Sequence, residues 1–216
     1  STSLISGHTT VNPTDPALFP DATVLVSEGN LWTFKNDVHS ISWALADNGS
    51  YHWPEPDVVQ DIIGDALEEF SKVADIEFQY FGFYSTVSAA TASGVDFVYT
   101  LKNFSSTGTV AEAFFPNYAD RTLDFGQAFV NHAANSAVFD EFLSFVALHE
   151  TGHTLGLKHP HNASPLNPYR VGIAYAGADD GVSTLNTLMR YYNPSGIPLT
   201  DEYYPTTPMV LEIIAL

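Results

Sequence analysis

Three histidines and one glutamate have both the type and the spacing to do chemistry. They lie in the run His149-Glu150-Thr151-Gly152-His153-Thr154-Leu155-Gly156-Leu157-Lys158-His159. Two histidines four apart on a helix stand one turn above each other on the same face. Their ring nitrogens can then reach a single ion, and zinc takes imidazole nitrogens at about 2.0–2.1 Å. His159 must approach from another direction to complete a pyramid of ligands. Gly156 supplies that change, because glycine can enter the left-handed conformation that ends a helix and turns the chain back. Three protein ligands leave one position open, which is the arrangement of a catalytic zinc and not of a structural one. Glu150 points about 100° around the helix from His149 and cannot easily ligate beside it. It can instead hold the nucleophilic water, take its proton and pass that proton to the leaving group.

Such a cluster needs elements to hold it. The apolar run at 138–155, ending near Gly156, predicts the helix that carries His149, Glu150 and His153. Residues 57–74 predict a second, amphipathic helix, opened by Pro54-Glu55-Pro56-Asp57, with Val58, Val59, Ile62, Ile63, Ala66, Leu67, Phe70 and Val73 at a 3.6 period. Glu55 and Asp57 suit its start, where the helix dipole favours negative charge. Five runs read as strands: 39–45, with Ile41, Trp43 and Leu45 on one face, then 76–84, 95–101, 111–115 and 122–130. Residues 1–30 and 160–188 are rich in turn formers and read as irregular, and 207–216 reads as the start of a helix that stops in mid-pattern. Trp32, Trp43 and Trp53 read as packing residues. The acidic side chains of 57–74 read as a solvated face, and His8, His39, His52, His132 and His161 as structural or surface groups. Asp179-Asp180-Gly181 is too little to define a calcium site.

Composition narrows the functions. The 216 residues are 45% hydrophobic, enough for one domain with a sizeable core. Acidic residues outnumber basic ones 25 to 7, a formal net charge of −18. That surface repels nucleic-acid phosphates and anionic membranes, so neither is expected as a partner. Carboxylates in such number could recruit calcium, although no calcium motif is present. There is no cysteine, which excludes thiolate zinc sites, disulfides and a cysteine nucleophile. No stretch of about 18 apolar residues is available to span a membrane.

The zinc motif, with Leu157 and Pro160, resembles that of the metzincin zinc peptidases, and within them it is most similar to the serralysins. Thr187-Leu188-Met189-Arg190-Tyr191 resembles their Met-turn, with a tyrosine two residues on. Leu4-Ile5-Ser6-Gly7 resembles the start of mature serralysin domains, and 208–216 resembles the helix leading toward their calcium-binding repeats. The resemblance implies an α+β fold with two lobes, an upper one to about residue 156 with a mixed five-stranded sheet, and an irregular lower one, in a single catalytic domain over 1–216. It implies one catalytic Zn2+ on His149, His153 and His159, Glu150 as the catalytic acid/base, Met189 as a hydrophobic floor, and Tyr191 as a further zinc ligand in the resting enzyme. Ala111, Glu112, Ala113 and Phe114 would form the edge strand that binds an extended substrate. The implied activity is endoproteolysis of protein substrates by a secreted, extracellular enzyme, with a proteinaceous inhibitor or a removed propeptide as further partners. Arg190 departs from the small residue usual in relatives, 8–35 looks like an insertion, and the repeat domain does not follow.

Two other classes compete with this reading. One is a zinc-containing relative that only binds proteins, against which the intact Glu150 speaks. The other is a zinc hydrolase of a non-peptide substrate, against which the Met-turn likeness speaks.

Overall fold

A computed structural model of the chain describes residues 39–104, 109–113, 115–116, 121–133 (backbone only at 129, 132 and 133), 139–159, 189 and 207–208. Strand β1 (Ser40–Ala46) has the alternation expected of it. Ile41, Trp43 and Leu45 face one layer, while Ala44 and Ala46 face the other, and all five are buried. Helix α1 (Pro56–Ser71) follows. Its proline at the first turn costs no hydrogen bond, since that N–H would have no helical partner. Val59, Ile63, Ala66, Leu67 and Phe70 form its buried stripe, and Asp57, Asp61, Asp65 and Glu68 are exposed. Val58, expected in the apolar stripe, falls outside it and is exposed.

Strands β2 (Glu77–Tyr84), β3 (Phe97–Lys102), β4 (Ala111–Ala113) and β5 (Thr122–Gly126) complete one sheet in the order β2-β1-β3-β5-β4. β1 pairs in parallel with β2 and β3, and β3 in parallel with β5. Only β4 runs antiparallel, on the rim beside β5. This is the mixed five-stranded sheet that was expected. Helix α4 (Phe139–Thr154) packs with α1 on the face that carries Ile41, Trp43, Tyr99, Leu101 and Leu123. Each large apolar side chain buried there contributes roughly 1.5–3 kcal/mol.

Two elements depart from expectation. The run 122–130 is not one strand: it leaves the sheet at Gly126, and Gln127–Ala133 is helix α3. Gly126 pairs with Lys102, the last residue of β3, so among the described residues β3 offers no partner beyond it. There the side-chain amide of Gln127 donates to the side-chain oxygen of Asn131, one helical turn away, at 2.6 Å. The second departure is α2 (Val87–Ala92), unforeseen because its Ser/Thr/Ala composition resembles a turn. Thr86 caps it by accepting from the Ala89 N–H at 3.1 Å, and Ala90 packs with Ala44, Ala46, Val95 and Val98 on the sheet's opposite face.

Candidate metal centre

The last two turns of α4 are buried from His149 through Thr154. The helix ends where Gly156 was expected to end it, at a φ of 102°. The Leu157 N–H reaches the Gly152 carbonyl at 2.8 Å, and the Gly156 N–H reaches that of His153 at 3.0 Å. This crossed pair of bonds with a left-handed glycine is the Schellman motif, and it reverses the chain so that His159 faces the helix it has just left. Leu157 has a second use, because its carbonyl accepts from Nδ1 of His153 at 2.8 Å.

That contact fixes a tautomer. A carbonyl can only accept, so His153 carries its proton on Nδ1 and presents a lone pair at Nε2. The Nε2 atoms of His149 and His159 are 3.0 Å apart, and those of His153 and His159 are 3.1 Å apart. A single imidazole N–H cannot satisfy both contacts at His159. Three nitrogens sharing one tetrahedral ion at about 2.0–2.1 Å would lie about 3.3 Å from one another. The cluster therefore fits zinc in donor type and spacing, and His153 also in its tautomer, and it is a group of side chains able to hold a metal. Burial pushes the His153 ring down to about 4, against the smaller opposing effect of the Leu157 carbonyl, so the ring is neutral and able to ligate.

Glu150 lies beside the cluster, 5% exposed. Burial, and after it the charge of Glu112, pushes its carboxyl up to about 8. A dication held by the three imidazoles acts in the opposite direction. Aromatic rings flank two of the histidines: Phe115 meets His153 edge-on at 5.8 Å, and Phe145 lies tilted against His149 at 6.2 Å. On another side Met189 is fully buried, and a Cβ placed on Gly152 would come within 2.7 Å of its sulfur. Gly152 is what allows that close approach.

The proposed substrate strand lies on the sheet rim. Ala111 and Ala113 turn toward the core, while Glu112 is exposed and accepts from Lys102, which also reaches the buried Asp124 at 3.1 Å. Phe114 and Tyr191 lie outside the described residues, as do Trp32, His8, His161, Arg190, the acidic 179–181 cluster and the segments 4–7 and 209–216. Trp43 and Trp53 are core residues, as expected. His39 and His52 contact Asp75 and Asp47, away from the metal cluster.

One contact had no signal in the sequence. The hydroxyl of Thr151, between the two helical histidines, meets the hydroxyl of Tyr99 on β3 at 2.5 Å in a fully buried position. A tyrosine in a strand and a threonine in a helix become partners only once the fold brings them together.

The family model for matrixins matches residues 32–171, well over half of the chain. No curated protein matches it.

Proposed function

The chain belongs to the matrixin family of zinc metallopeptidases, and from that membership we propose that it is a zinc-dependent endopeptidase acting on protein substrates. The observation that carries the proposal is the convergence of the His149, His153 and His159 Nε2 atoms beside a buried Glu150. Zinc, when bound there, supplies Lewis acidity that lowers the pKa of water to about 7 and polarises a carbonyl.

The chain's own residues do the rest. Leu157 holds His153 in the ligating tautomer, and Gly156 aims His159. Glu150 takes a proton from the attacking water and delivers it to the departing amine. An extended peptide adds to the edge of β4 that no described strand covers, through main-chain hydrogen bonds, with Ala111, Glu112, Ala113 and Phe114 as the strand it follows. Met189 serves as an apolar floor, a role supported by its contact with Gly152. Within the family the reading is serralysin-like, which rests on Tyr191. Its phenol would be a further ligand at rest and then donate a hydrogen bond to the oxyanion of the scissile carbonyl, a contact worth about 3–4 kcal/mol. The acidic surface, at a net charge of −18, suits solubility outside cells and supports secretion to the cell exterior.

A quenched casein substrate, assayed with and without a chelator, tests the peptidase reading. Activity abolished by the chelator is expected, and Tyr191→Phe should lower kcat more than it raises KM. Equal, small effects of Tyr191→Phe and Tyr192→Phe would remove the serralysin-like assignment.

A further inference from the structure

The proposed chemistry leaves one buried polar contact beneath the metal cluster unused. Thr151 lies two residues from His149 and two from His153, about 200° around the helix from each, so it points away from the cluster and toward the sheet. Its hydroxyl donates to the Ala147 carbonyl at 2.6 Å. Having spent its only proton there, it must accept from Tyr99 at 2.5 Å. The Tyr99 ring cannot move aside. It belongs to the central strand β3, opposite Leu45 and Leu123, and is caged by Trp43, Phe97 and Phe125 at 5.5–5.9 Å.

Apolar packing holds a helix against a sheet but does not strongly fix its rotation, since contact with Leu, Val and Ala is not directional. The Tyr99–Thr151 bond is directional, and it joins the buried central strand of the sheet to the residue midway between His149 and His153. An imidazole nitrogen about 6 Å from the helix axis shifts by about 1 Å for a roll of about 10°. A misplacement of about 1 Å can cost about 10²-fold in rate.

We infer that Tyr99 is a positioning residue: through Thr151 it sets the rotation of α4 about its axis, and with it the aim of His149, Glu150 and His153. The inference rests on the peptidase reading only for its kinetic readout. The test is Tyr99→Phe, which keeps the ring and removes only the hydroxyl, measured beside Thr151→Val and Thr151→Ser. The readouts are kcat and KM on a quenched peptide, the rate of zinc loss to a chelator, the visible spectrum of the cobalt(II)-substituted protein, and Tm. Tyr99→Phe is expected to lower kcat about 10- to 100-fold with KM within about twofold, to speed zinc loss about tenfold, and to shift the cobalt bands. Thr151→Val should do the same, while Thr151→Ser, which keeps the hydroxyl, should stay close to the wild type. If Tyr99→Phe lowers Tm alone, with zinc loss and the cobalt spectrum unchanged, the contact is merely structural and the inference falls. If Tyr99→Phe does not fold, Thr151→Val decides by the same criteria. If the wild type cleaves no peptide, the peptidase reading fails, and zinc release and the cobalt spectrum still decide the role of Tyr99.

Discussion

Glu150 and Gly152 are neighbours but one intervening residue on the same helix, and their substitution should have opposite consequences. Glu150→Gln preserves volume and leaves the three imidazoles in place, so zinc content and Tm should match the wild type. Turnover should fall by about 10²–10⁴, the usual worth of a positioned general base; a variant retaining half its activity would mean another group moves the proton. Gly152→Ala should act first on stability. The added Cβ would stand 2.7 Å from the Met189 sulfur, and overpacking of this kind costs about 1–3 kcal/mol. Denaturant titration of Gly152→Ala, Met189→Ala and the double variant should reveal coupling, because truncating Met189 opens the space the new methyl needs. Additive losses would mean that the two residues do not press on each other. The clustering of His149 with His153 was legible in the sequence because a helix of period 3.6 puts positions i and i+4 on one face, and that of His159 because Gly156 could turn the chain back. Met189 was legible only through family likeness, and Tyr99 not at all, since strand and helix residues far apart in the chain carry no mutual signature.

At the scale of elements, the helix terminus is where sequence and structure agree best. The left-handed Gly156 and the crossed bonds at Gly152 and His153 are what glycine after an apolar helix predicts. Gly156→Ala should cost about 1–3 kcal/mol for backbone strain and loosen zinc binding, because His159 hangs from that turn. Gly156→Asn, more tolerant of a left-handed φ, should fall between alanine and wild type in chelator competition; identical zinc affinity in all three proteins would show that the turn does not aim His159. The strand at 122–130 was misread for a local reason. Phe129 and Val130 continue an apolar run past Gly126, but where the run ends is decided by the end of β3, which only the assembled sheet reveals. Helix α2 escaped because one Val followed by five residues of Ser, Thr and Ala carries too little apolar pattern to be told from a turn.

For the whole molecule, the governing quantity beyond the fold is charge. At a net −18, the enzyme should attract basic substrates over a distance that salt controls, since the screening length falls from about 30 Å at 0.01 M to about 8 Å at 0.15 M ionic strength. Raising salt across that range should lower kcat/KM severalfold for a lysine-rich peptide and raise it for an acidic peptide of the same length. Equal salt responses would place the charge away from the path of substrate approach. The central claim, that catalysis depends on one zinc held by His149, His153 and His159, is tested most directly by stripping the metal with a chelator and titrating zinc back while following hydrolysis of a quenched casein substrate. Activity should vanish on stripping, return linearly and break sharply at one equivalent per chain, with no recovery in His153→Ala. Undiminished hydrolysis by the stripped protein, or full recovery in His153→Ala, would contradict it.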